Sequence, residues 1–87
     1  MSDRRAVFST HFLQDMEYWT RTDRRTAIRL LRLVREILNA PLGRIGKPEP
    51  LNRELAGLWS RRLIREHRVV YEVVVNEVRF LQARHHY

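Results

Sequence analysis

The spacing of apolar side chains changes once along this chain. Before residue 41 they recur at three- and four-residue steps; after residue 57 they tend to alternate. The change falls across PLGRIGKPEPLN (41–52), which packs two glycines and three prolines into twelve residues. Such a stretch reads as a loop. The prolines around Glu49 push Lys47 and Glu49 towards extended conformations.

Upstream, HFLQDMEYWTR (11–21) reads as an amphipathic helix with Phe12, Leu13, Met16 and Trp19 on its apolar side, and Ser9 or Thr10 can cap it. RRTAIRLLRLVREILNA (24–40) reads as a second helix capped by Asp23. Its expected stripe is Ala27, Leu30, Leu31, Val34, Ile37 and Leu38. Arg25, Arg29 and Arg32 fall on a solvated face, and Pro41 helps stop the helix. RRAVFS (4–9) is a short strand candidate ahead of both.

Downstream, LWSRRLI (58–64), HRVVYEVVV (67–75) and EVRFLQARHH (77–86) are rich in β-branched and aromatic residues. The short connections favour antiparallel hairpins. The expected class is α+β: two N-terminal helices packed on a twisted, mainly antiparallel sheet, forming one domain over 1–87. Alternation puts Leu63, Val69, Tyr71, Val73, Val75, Leu81 and Ala83 on the core face. Arg62, Arg68, Val70, Glu72, Gln82, Arg84 and His86 fall opposite. Arg62, Arg68 and His86 therefore share an exposed face, provided no residue slips register. Tyr71, Trp19 and Trp59 read as packing residues.

Composition narrows the chemistry. The absence of cysteine excludes disulfides and thiolate catalysis. No apolar run approaches the length of a membrane helix, and MSDRRAVFSTHF lacks the apolar centre of a signal peptide, so a cytoplasmic, non-membrane protein is expected. The net charge is +7, and Lys47 is the only basic residue besides arginine and histidine. An arginine-rich surface serves solubility; it also suits a polyanionic partner, because the guanidinium fork binds phosphate and stacks on bases.

Histidine exchanges protons near neutrality, glutamate can act as a base, and arginine stabilises charge on phosphorus. Together they can cleave RNA. A base takes the ribose 2′-hydroxyl proton, the oxygen attacks phosphorus, and an acid protonates the departing 5′-oxygen. The products are a 2′,3′-cyclic phosphate and a 5′-hydroxyl. Each residue also has a plainer reading: His85 and His86 as surface histidines, Glu49 and Lys47 as a solvated pair, Arg61 and Arg62 as charges facing an acidic partner. His85, His86 and Glu49 lack the spacing usual for zinc, and no cofactor is expected.

GKPEPL, LWSRRL, EHRVVYEV and the final HHY, with EYWTRTDRRTAIRLLRLV before them, resemble the YoeB branch of the RelE toxin superfamily. The resemblance covers nearly the whole chain. It implies a fold similar to microbial ribonucleases and a toxin of a bacterial type II toxin–antitoxin pair that cleaves messenger RNA in the ribosomal A site. It further implies Glu49 as general base, His86 as general acid, Arg68 as transition-state stabiliser and Tyr87 as a substrate-orienting ring. Lys47 and Arg62 look like phosphate contacts, and Arg53, Arg61 and Arg84 are grouped with them. The implied partners are an acidic, partly disordered, YefM-like antitoxin and a second copy of the chain. Asn52 stands where the family commonly has lysine, and His85 where it often has an aromatic. These departures bear on codon preference and rate. Two rival readings are a non-catalytic RNA or ribosome binder and a gyrase-poisoning toxin of the same superfamily.

Overall fold

The computed structural model describes residues 4–41, 49–50 (backbone only) and 57–85. Its elements are β1 (Arg5–Phe8), α1 (Thr10–Thr22), α2 (Arg24–Asn39), β2 (Glu49–Pro50), β3 (Leu58–Ile64), β4 (His67–Val74) and β5 (Glu77–Gln82). The class is α+β, as the sequence leads one to expect. The strand order is β1-β5-β4-β3-β2; β1 runs parallel to β5 and the other pairs are antiparallel.

Local chemistry sets the helix limits. Ser9 accepts from the Phe12 N–H at 3.0 Å and so caps α1; its hydroxyl also donates to the Leu81 carbonyl at 2.8 Å. Asp23 ends α1 and caps α2 at once. Its N–H donates to the Trp19 carbonyl, while its carboxylate accepts from both the backbone N–H and the hydroxyl of Thr26. These bonds hold the Asp23 carboxyl below its ordinary pKa, the Thr26 hydroxyl contributing most. One residue thus fixes the corner between the helices.

The core joins α1 and α2 to one face of the sheet through Phe12, Trp19, Leu30, Leu33, Val34, Ile37, Leu63, Val69, Tyr71, Val78, Phe80 and Ala83. Phe8, Phe12 and Phe80, from β1, α1 and β5, form an aromatic triad with ring centroids 5.2–5.5 Å apart. Arg29 reaches across from α2 and donates to the Leu63 carbonyl of β3.

Four expectations need correction. Leu31 and Leu13 are half exposed, and Leu33 takes the core position on α2, since its stripe runs through Thr26, Ala27, Leu30, Leu33, Val34 and Ile37. Val75 is 86% exposed because the hairpin turn uses Val75 and Asn76. Phe80, not Leu81, carries the core face of β5. The pairings Tyr71–Phe80 and Val70–Gln82 leave Leu81 as an extra residue, a bulge that reverses the alternation before Ala83. Finally, Glu49 and Pro50, read within a loop, form the two-residue edge strand β2, where proline is tolerated.

Among the described residues, no helix is long and apolar enough to cross a membrane.

Candidate active site

The sheet gathers the described candidates by register. Arg62 on β3 pairs with Arg68 on β4, so the two arginines stand on one face, opposite the helices. Ser60, two residues before Arg62, shares that face. Its hydroxyl accepts from Arg68 Nε at 2.9 Å, and its carbonyl lies 3.5 Å from the same guanidinium. Ser60 is also the register partner of Glu49 on β2. One buried serine therefore stands between the backbone of the candidate base and the guanidinium of the candidate stabiliser.

The segment after β5 reaches the same neighbourhood. The Arg68 N–H donates to the His85 carbonyl at 2.9 Å, and the His85 N–H donates to His67 Nδ1 at 2.8 Å. His85 sits in the left-handed region at φ 67°, uncommon for any residue but glycine, though histidine is among the side chains enriched there. Its ring leans on His67, with centroids 5.7 Å apart. Burial lowers the pKa of His67 below its ordinary 6.5; His85, Arg65 and Arg84 act in the same direction, and Glu66 opposes them. At neutral pH His67 is thus the uncharged acceptor that its hydrogen bond requires.

Two arginines of the candidate set make contacts within the fold. Arg61, grouped with the phosphate contacts, is 1% exposed and points into the core face. Its guanidinium donates to the carbonyls of Ala40 and Pro41 and to the Tyr71 hydroxyl, which itself donates to Pro41 at 2.7 Å. The reading of Arg61 as a phosphate contact is corrected: it ties the end of α2 to the sheet. Desolvation raises the pKa of Tyr71, and the tyrosine belongs to the core, as its alternation suggests. Arg84 lies over the ring of Tyr18 on α1, 3.5 Å from the ring centroid.

Lys47, Arg53, His86 and Tyr87 lie outside the described residues, as does the side chain of Glu49. Sequence reasoning missed Ser60, Asp15 and His67. The signal for Asp15 was its spacing: it precedes Tyr18 and Trp19 by three and four residues, on one helix face. A surface hollow of about 700 Å3, lined by Arg4, Arg32, Arg35, Glu36, Leu38 and Asn39, lies against α2, and neither Arg62 nor Arg68 lines it.

Comparison with known proteins finds relatives in both sequence and fold. Residues 8–87 match the model of the YoeB-like toxins of bacterial type II toxin–antitoxin systems. A toxin YoeB from Mycobacterium bovis is 48% identical over 84 residues, covering 97% of this chain and 99% of its own. The YoeB dimer from Staphylococcus aureus superposes with a TM-score of 0.88 at 32% identity, covering 99% of this chain and all of its own. The toxin in the heterotetrameric YoeB–YefM toxin–antitoxin complex of Staphylococcus aureus matches with a TM-score of 0.82 at 34% identity, over 97% of this chain and 98% of its own.

Proposed function

The chain belongs to the YoeB-like toxins of bacterial type II toxin–antitoxin systems, and from that premise we propose that it is an endoribonuclease acting on ribosome-bound messenger RNA. Glu49 takes the proton of the ribose 2′-hydroxyl, and the oxygen attacks the adjacent phosphorus. Arg68 stabilises the charge that develops on the phosphoryl oxygens. His86 donates a proton to the leaving 5′-oxygen. The strand ends at a 2′,3′-cyclic phosphate and a new 5′-hydroxyl. Base, acid and charge stabiliser all come from side chains, so the scheme requires no cofactor. Arg62, Lys47 and Arg53 hold flanking phosphates, and Tyr87 orients the substrate.

The observation that carries this reading is the placement of Arg68. Its guanidinium is aimed by Ser60, the register partner of Glu49, and its N–H is bonded to the residue before His86. The backbone around one guanidinium thus links the segments that carry the base and the acid. The dimeric and antitoxin-bound relatives support a homodimer and an antitoxin as partners, and the chain's +7 charge suits an acidic antitoxin that orders on binding. The cytoplasm is the expected site of action.

Cell-free translation with mapping of fragment ends tests the activity. Fragments with 5′-hydroxyl ends are expected, and a 2′-deoxy nucleotide at the cut site should abolish them. Binding without fragments would leave only an RNA-binding role.

A further inference from the structure

We infer that Asp15, Tyr18, Trp19 and His67 are positioning residues: they clamp residues 83–85 so that His86, the next residue, meets the substrate in a fixed register. This rests on the ribonuclease reading above. The clamp grips three consecutive residues beyond the end of β5. Asp15 accepts from the Ala83 N–H at 2.9 Å, and Trp19 Nε1 donates to the Ala83 carbonyl at 2.8 Å. Both backbone groups of Ala83 are therefore satisfied by side chains of α1. Tyr18 carries the guanidinium of Arg84 on its ring. His67 accepts from the His85 N–H, and the Arg68 N–H donates to the His85 carbonyl.

The clamp sets a carboxylate where a helix would ordinarily bury an apolar side chain. Asp15 is 5% exposed, and a buried carboxylate is unfavourable unless bonded. Its partners are the Ala83 N–H and His11, whose Nε2 lies 3.5 Å away. An apolar residue at this helix position would fill the core without that penalty, but it could not hold an amide that has left the sheet ladder. The ring of Trp19 also meets that of His67 edge-on, centroids 4.9 Å apart, so the α1 and β4 halves of the clamp brace each other. Chain segments beyond a last strand are ordinarily frayed. A general acid displaced by about 1 Å can lose on the order of a hundredfold in rate, which gives such a clamp a use.

The test compares His67→Ala, His67→Asn and Trp19→Phe in the full-length toxin. Asparagine places an oxygen acceptor near the position of Nδ1; phenylalanine keeps the ring and removes the donor. Single-turnover cleavage of ribosome-bound mRNA is read beside amide hydrogen exchange at Ala83 and His85. We expect His67→Ala and Trp19→Phe to lower the maximal rate by about ten- to a hundredfold, with unchanged half-saturation. Exchange at Ala83 and His85 should quicken while α2 stays protected, and His67→Asn should recover most of the rate. Equal losses in His67→Ala and His67→Asn, a change confined to half-saturation, or quickened exchange at full rate would each overturn the inference. Should His67→Ala fail to fold, Trp19→Phe against His67→Asn decides it by the same readings. A wild-type toxin that cuts nothing would instead sink the ribonuclease reading; exchange would still report whether the clamp holds the segment.

Discussion

Arg68 Nε donates to the Ser60 hydroxyl at 2.9 Å, which fixes the plane of the guanidinium on the sheet face opposite the helices. Hydrogen bonds to charged groups contribute about 1.5–3 kcal/mol. Ser60→Ala should therefore slow cleavage by about ten- to a hundredfold, at 1.36 kcal/mol per decade, and lower folding stability by no more than the value of that one bond. Single-turnover rates alongside melting curves check this; an unaltered rate would mean that Ser60 does not aim the arginine.

Removing the acid or the base should be more severe. General acid–base groups contribute roughly a hundred- to ten-thousandfold. His86→Ala and Glu49→Ala should lose cleavage on that scale, remain folded by circular dichroism, and no longer arrest growth on induction. Near-normal rates in both would remove these residues from the mechanism.

The neighbours Arg61 and Arg62 should behave oppositely. Tyr71→Phe strips a partner from the buried Arg61 and from the Pro41 carbonyl. A loss of about 1–3 kcal/mol in urea unfolding is expected for polar groups left unsatisfied in the core, with little effect on the salt dependence of RNA binding. Arg62→Ala should leave stability alone and make the slope of log affinity against log salt shallower by about 0.7, the value for one single-strand phosphate. The same slope in wild type and Arg62→Ala would show that Arg62 touches no phosphate.

Acid should loosen the segment after β5. The folded state holds His67 at a pKa lowered chiefly by burial, so the unfolded chain binds a proton more readily. The resulting stability is complete above the ordinary value of 6.5 and is lost as pH falls from there through the folded pKa. Protonation also fills the lone pair that accepts from His85. Glu66 limits the effect, while His85, Arg65 and Arg84 increase it. The protection of the His85 amide, its exchange measured against the intrinsic rate at each pH, should fall below about pH 6.5, and His67→Asn should flatten that response.

Much of the fold was legible because local chemistry and packing agree. Asp23 is a good cap wherever it stands before a helix, and the limits of α2 and β3 fall within one residue of their apolar patterns. What the pattern hid was parity. The additional residue at Leu81 leaves composition untouched but moves Phe80 to the core face, and alternation alone carries no mark of it. Arg61 was hidden for a related reason. Arginine ordinarily signals the surface, and only the carbonyls of Ala40 and Pro41, distant in sequence, make its burial tolerable. Asp15 misleads in the same way until Ala83 is beside it. Of the site, the shared face of Arg62 and Arg68 followed from alternation, whereas their register pairing, Ser60 and His67 emerge only with tertiary structure.

The parallel pairing of Arg5–Phe8 with Glu77–Phe80 imposes an order on biogenesis. The first described strand finds its neighbour only once the last described strand has been made, so this pairing closes a loop that contains every other described element. Contacts this distant in sequence are slow to form, because the loop must close before the pairing rewards it.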